Sequence, residues 1–284
     1  MKHHLLVAAA IIALSGCSSD VQTTSGANYL AQYHNVPVTP SQEIITSAGR
    51  QRVKSIDQMV REAASVEPVL KFPARIGLAR VDNGSLSNIP PAEAAAWQQT
   101  RDRLGAKFGE FVPLNLLVTE MVTNSPTITA SYNLQINNIV DKIRLGAARQ
   151  HLDAVLIYEV HSSESSGSNV LSAANISIIG GYILPSHYHD AQGYAEGLLI
   201  DVVQGYPYGT ISATAGKESR VSSSWGWGSD YGNQVEFSNR VKSDAAIQLS
   251  QQAYDMFTKL ATALAEKESL PKQMDTRRHD RKYQ

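Results

Sequence analysis

The densest set of metal-ligating side chains in the sequence is Ser186-His187-Tyr188-His189-Asp190. In an extended segment residues two apart share a face, so His187 and His189 would present both imidazoles to one side. Asp190 would add a carboxylate oxygen. A transition-metal site takes three or four such ligands, so a further group such as His161 or Glu164 has to come from elsewhere in the chain. That set would suit a metal-dependent hydrolase. The same residue types suit a polar hairpin loop with two solvated histidines, and that plainer reading is preferred, with no metal and no other cofactor expected. The hydroxyl-rich stretch Ser162–Ser168 lacks a GxSxG-type elbow, and a serine nucleophile also needs a base and an oxyanion site. It reads as the loop after a strand. His151 and Asp153, at the entry to that strand, are placed to pair. No catalytic residue is assigned, and an enzyme is not expected.

The chain owns a single cysteine, Cys17, and its setting is specific. Lys2, His3 and His4 form a short basic and polar front. Leu5 to Leu14 is an unbroken apolar run, and Ser15 and Gly16 are small. A run of ten is half of the roughly 20 residues a membrane-crossing helix needs, so it reads as the core of an export leader. Leu14-Ser15-Gly16-Cys17 resembles the bacterial lipobox. That resemblance implies a leader over 1–16, a diacylglycerol on the Cys17 thiol, and an acylated (palmitate-type) new amino terminus. Several acyl chains anchor a protein firmly. Ser18 resembles the residue found after the cysteine in lipoproteins sorted to the outer membrane, so the expected address is that membrane's periplasmic face, with inner-membrane anchoring the lesser alternative.

With its cysteine spent there, the mature chain has no thiol for disulfides, and the fold must hold without them in an oxidising compartment. The formal net charge is −1, whereas nucleic-acid binders usually carry a basic face, so no nucleic-acid partner is expected. No later segment reaches the 18 consecutive apolar residues that mark a second membrane span. One loop stands out as a binding surface. In Ser222–Gly232, Trp225, Trp227 and Tyr231 lie among glycines and serines, and aromatic residues are enriched at interface hot spots. They either dock a partner, a glycan or a lipid surface, or fold back to fill the core.

These residues need a scaffold. Positions 17–67 read as the lipidated cysteine, then a polar tether to about Pro40, then a helix over Ser41–Ala64. The folded body is expected over 68–267 and a basic tail over 268–284. Arg75–Val81 reads as a strand with Ile76, Leu78 and Arg80 on one face. A helix follows from Pro90-Pro91 to about Lys107. Phe111–Thr119 reads as a strand, Asn124–Ser131 as a turn, and Ile136 to Ala147 as a helix at 3.6-residue period. Asp153–Ser162 is apolar enough to be a central strand covered on both faces. Val170–Leu184 and Gly193–Gly205 are β-prone, with Pro185–Gln192 a hairpin loop between them. Tyr206–Gly209 reads as a turn and Thr210–Ser219 as a strand. The last helix spans about Lys242–Glu266. Strand–helix–strand–helix–strand followed by an antiparallel meander and a long helix is an α/β (α+β) fold. The Val170–Leu184 run also allows a membrane-entering hairpin of a pore, although a hairpin within the soluble sheet is preferred.

The stretches "ARIGLARV", "DAVLIYEVHSS" and "AEGLLIDVVQGYPYGTISATA", behind a lipobox, give a topology similar to three groups of envelope lipoproteins. These are the curli-secretion channel lipoprotein, the lipoprotein activators of penicillin-binding proteins, and the amino-terminal domain of the TolB type. "FPARIGLARV" with "GLLIDVVQGYPYGTI" also resembles the rhombotail lipoproteins, although the glycine-pair and hydrophobic carboxyl-terminal tail of that group is missing. The resemblance spans about Arg75–Glu266 and carries no catalytic motif. It implies a non-enzymatic scaffold or binding module with an envelope protein partner, its oligomeric state left open. A subunit of an oligomeric secretion channel is the other role it implies.

Overall fold

Strand β4, Ala74–Asp82, and strand β7, Ala154–Ser163, are the two most apolar strands, and they pair in parallel at the centre of the sheet. A strand covered on both faces needs apolar residues at odd and even positions alike. β7 satisfies this from Ala154 to Val160, all of them buried. A computed structural model describes residues 18–46, 49–123, 138–163, 192–215 and 230–269. Around the central pair lie β8 (Gln192–Asp201), β9 (Pro207–Thr214) and β1 (Ser18–Val21), each antiparallel to its neighbour. The other edge of β4 is shared. β6 (Gly109–Pro113) runs parallel along Ala74–Leu78, and the short β5 (Ser85–Ser87) turns back antiparallel along Arg80–Asp82. The fold is mixed α+β, with a seven-stranded, mostly antiparallel sheet.

Helices cover both faces. On one, α3 (Pro91–Leu104) and the 40-residue α6 (Asp230–Ser269) close the larger core, in which Trp97, Leu156, Tyr158, Leu199, Tyr208 and Phe257 are almost fully buried. On the other, α4 (Leu116–Thr123) and α5 (Ile139–Arg149) pack Leu114, Ile143 and Ala147 over Val81, Val155 and Ile157. Asn138 caps α5 through its side chain, and Pro91 sits in the first turn of α3, where its missing N–H costs nothing. α6 would be about 60 Å long at 1.5 Å per residue. Gly193 lets it approach β8 closely, because a Cβ there would run into the Val241 carbonyl.

The segment after Cys17 departs most from expectation. Instead of a tether, Ser18–Val21 forms an edge strand in register with Gly209–Ser212. Gln22 N donates to Tyr208 O at 2.8 Å, and α1 (Gly26–Ala31) follows, capped by Ser25. The folded body therefore begins at Ser18, not near Pro68. The helix expected over Ser41–Ala64 is half right. β2 (Gln42–Thr46) and β3 (Gly49–Val53) form a separate hairpin, and only α2 (Ile56–Ala64) is helical. A full capping box, Ser55 with Gln58, fixes where that helix starts.

Three further boundaries move. The run expected as one strand over Phe111–Thr119 splits after Pro113, because Asn115 Oδ1 accepts from Val118 N and opens α4. The turn lies at Val202–Tyr206 rather than Tyr206–Gly209. There Asp201 Oδ1 accepts from Gln204 N, and Gly205 takes φ +73°. Tyr206 and Tyr208 are instead buried and stacked on each other. α6 starts twelve residues before Lys242, at Asp230. The Val170–Leu184 run, the Asn124–Ser131 turn and the tail from 270 lie outside the described residues.

Candidate functional site

Two clusters of buried ionisable side chains and one exposed apolar surface stand out. The first cluster joins α3, β4, β5, β7 and α6. Arg80 lies on the same face as Ile76 and Leu78, as strand alternation requires, and is 6% exposed. Its Nε donates to both oxygens of Glu93, at 3.1 and 3.2 Å, and its Nη1 donates to Asp82 Oδ2 at 3.1 Å and Ser87 Oγ at 2.8 Å. Lys242 Nζ reaches Asp82 Oδ1 at 2.8 Å, and Tyr158 OH donates to Glu93 Oε2 at 2.9 Å. Two cations thus meet two carboxylates. Pairing offsets much of the cost of taking them out of water. Burial still dominates at Glu93, pushing its carboxyl above the usual range although Arg80 pulls the other way. Burial and the Glu93 charge push the Tyr158 phenol far up, which keeps its hydroxyl a donor. The cluster is a polar bolt through the larger core.

The second cluster lies on the opposite face of β7 and β8. Glu159 and Glu196 stand directly across from each other in the antiparallel pair, where like charges repel. His161 is two residues further along the same face, its Nε2 3.6 Å from Glu159 Oε2. Burial pushes the Glu196 carboxyl up, the His161 charge opposes this, and Glu159 adds to it. Two carboxylates and an imidazole in this arrangement form a proton-sharing group. Among the described residues, no three His, Cys, Asp or Glu side chains converge in a way that would hold a metal ion.

The third feature is α2, which is amphipathic with its apolar side outward. Ile56, Met59 and Val60 are 66%, 47% and 56% exposed. Its polar side is tied down by the preceding chain. Asp57 accepts from Thr39, Arg61 Nη2 donates to Tyr33 O and Val36 O at 3.2 and 2.9 Å, and Ser41 Oγ donates to Gln58 at 2.5 Å. Lys54 pairs with Glu62. Tyr29 and Tyr33, in ring contact with each other, extend the exposed surface. Gly26 is where α1 presses against the end of α2, since a Cβ there would meet Ala64 O at 2.5 Å.

Cys17, Glu164, His187, His189, Asp190, Trp225 and Trp227 lie outside the described residues, and so does the side chain of Tyr231, in the first turn of α6. His161 is described, and it faces Glu159. His151 and Asp153 do not pair with each other; both serve Arg75. Asp153 Oδ2 accepts from Arg75 N at 2.7 Å, and His151 O accepts from its guanidinium at 3.1 Å. Sequence reasoning missed Glu93, Lys242 and Glu196 as buried charges. Only Glu196 gave a signal, a lone acid in an otherwise apolar strand.

No family model matches the chain, and no curated protein matches it. Among solved structures, the PelC dodecamer from Paraburkholderia phytofirmans is 12% identical and covers 68% of this chain and 91% of its own, at a TM-score of 0.31. Lipoprotein GNA1162 from Neisseria meningitidis is 19% identical and covers 58% of this chain and all of its own, at a TM-score of 0.27. At these scores the likenesses assign nothing further. No helix among the described residues is long and apolar enough to cross a membrane.

Proposed function

We propose that this chain is a lipid-anchored protein of the bacterial envelope whose folded body binds another envelope component without catalysing a reaction. Anchoring is supported by the leader pattern of Lys2–Gly16 and by the one cysteine standing where a lipobox requires it. Ser18 favours the outer membrane. Binding is supported by the outward apolar stripe of α2, the single observation that carries this part of the reading. Contiguous exposed apolar surface on a folded protein marks an interaction site, and here the helix is held in that orientation by hydrogen bonds on its polar side. The Trp225, Trp227 and Tyr231 loop is a second docking surface in this proposal.

The test has two arms. Mass spectrometry of the mature protein should show a diacylglyceryl, amino-acylated Cys17, and an unmodified, released polypeptide would sink the anchoring. A photocrosslinking residue at Met59 or Trp225 in living cells should give discrete adducts that a residue at the solvated Glu236 does not. Identical patterns from all three positions would sink the binding role.

A further inference from the structure

The strand that follows Cys17 fixes how the body meets the membrane. We infer that the end of the sheet formed by Ser18, Ser163, Gln192 and Thr214 lies flat against the headgroup layer of the bilayer that holds the acyl chains. This rests on the proposed acylation of Cys17.

No slack separates Cys17 from the fold. Ser18 is already paired with Ser212, and their hydroxyls are 3.0 Å apart. Lys259 Nζ grips Ser19 through its carbonyl at 3.3 Å and its hydroxyl at 2.9 Å. Further on, Lys267 Nζ donates to Thr23 O at 3.2 Å and Tyr206 OH donates to Thr24 O at 2.8 Å. A segment bonded at each of these points cannot serve as a swinging linker. A lipid on the preceding residue must sit within about one residue's reach, roughly 3.8 Å, of the sheet.

Topology then defines which end is apposed. β1 starts where β9 ends, β8 starts and β7 ends, as the pairs Ser18↔Ser212, Tyr194↔Thr214 and Ser163↔Gln192 show. The row next to Ser212 crosses the sheet through Ala213, Ala195, Val160, Asp82 and Ser85. β7 and β8 continue three residues past that row, to Ser163 and Gln192. At about 3.3 Å per residue this is roughly 10 Å. The headgroup region is of similar depth, about 5–7 Å per leaflet. The rim of the sheet therefore enters that layer. α1 and the outward face of α2 follow from the opposite end, where Thr24 meets Tyr206, and so face away from the membrane.

Ser85 and Val203 separate this geometry from its alternatives. Ser85 is exposed and lies five strand spacings, about 24 Å, across the sheet from β1, on the membrane-side row. It nears the bilayer only if the whole rim does. Val203 is 81% exposed in the turn at the far end. Acylation consumes the only native thiol, so Ser85→Cys or Val203→Cys in the full chain gives one site for a fluorophore. Each labelled protein is reconstituted into phosphatidylethanolamine vesicles containing a headgroup spin-labelled lipid. Quenching should be several-fold stronger at 85 than at 203, and a long Gly/Ser spacer between Cys17 and Ser18 should abolish the difference while the protein still floats with vesicles. Flotation with equal quenching, or with stronger quenching at 203, would overturn the apposed rim and leave acylation intact. Failure to float would overturn the acylation on which the geometry depends.

Discussion

Replacing Tyr158 with phenylalanine deletes one hydroxyl from the charged cluster between α3 and the sheet. The hydroxyl is fully buried and donates at 2.9 Å to Glu93, whose side chain is 0% exposed. A hydrogen bond to a charged acceptor contributes about 1.5–3 kcal/mol, and no water replaces the lost donor at so enclosed a site. Arg80 still holds both Glu93 oxygens, and the ring contact between Trp97 and Tyr158, 5.4 Å between centroids, survives the change. A loss of about 2 kcal/mol is therefore expected. For a domain of this size that corresponds to a fall in Tm of about 4–8 °C. Equilibrium urea unfolding and a thermal scan both read it. Glu93→Gln is the more damaging variant, by about 3–5 kcal/mol, because it leaves the Arg80 charge short of a buried partner. In the double variant the two losses should fall short of additivity by about 0.5–3 kcal/mol. A Tyr158→Phe protein within about 0.5 kcal/mol of the parent, or strict additivity, would refute the claim that the phenol works through Glu93.

Three other outcomes are expected. In the folded protein Glu196 titrates above its ordinary 4.5, so the native state binds that proton more tightly than the unfolded chain. Its contribution to stability therefore falls as pH rises from about 4.5 through the raised value; Glu196→Gln should stabilise the protein at neutral pH and flatten urea midpoints across that window, and an unchanged profile would count against the reading. Tyr208 OH accepts from Val69 N at 2.9 Å and Leu70 N at 2.7 Å, and burial pushes its phenol up to about 12. Tyr208→Phe orphans both amides and should cost about 2–4 kcal/mol, seen also as faster amide exchange at Leu70. Gly193→Ala would press a methyl onto the Val241 carbonyl and should cost about 1–3 kcal/mol by overpacking, read as a lower denaturation midpoint.

The central strands and the long helix were legible because burial alone set their patterns. β7 is apolar at every position from Ala154 to Tyr158, and Ala246, Leu249, Ala253, Met256, Phe257 and Leu260 recur at helical spacing. Even the inward turn of Arg80 followed from strand alternation. β1 was illegible for the opposite reason. Ser-Ser-Asp-Val has neither apolar content nor alternation, and only the free edge of β9 makes it a strand. In Phe111–Thr119 an unbroken apolar run fits strand or helix equally, and the deciding residues, Pro113 and Asn115, act through backbone chemistry that periodicity ignores. Tyr206-Pro207-Tyr208-Gly209 has turn composition, yet burial of the two rings claims it for the sheet. The Asp201 and Gly205 pair was the better marker. The charged clusters were unreadable because each gathers residues from three or more elements, or from opposite strands, whose pairing is a tertiary fact.

The hydroxyls of Ser18 and Ser212 meet across 194 positions of sequence. Strand β1 is among the first segments made and waits for almost the last part of the sheet to exist before it can pair. Loop closure over such a distance comes late in folding. Enzymes that trim and modify the amino terminus as it emerges thus find the segment around Cys17 still extended and accessible. Once β9 arrives, the same segment is drawn into the sheet. The order of events is written into the topology: modification first, closure of the edge afterwards.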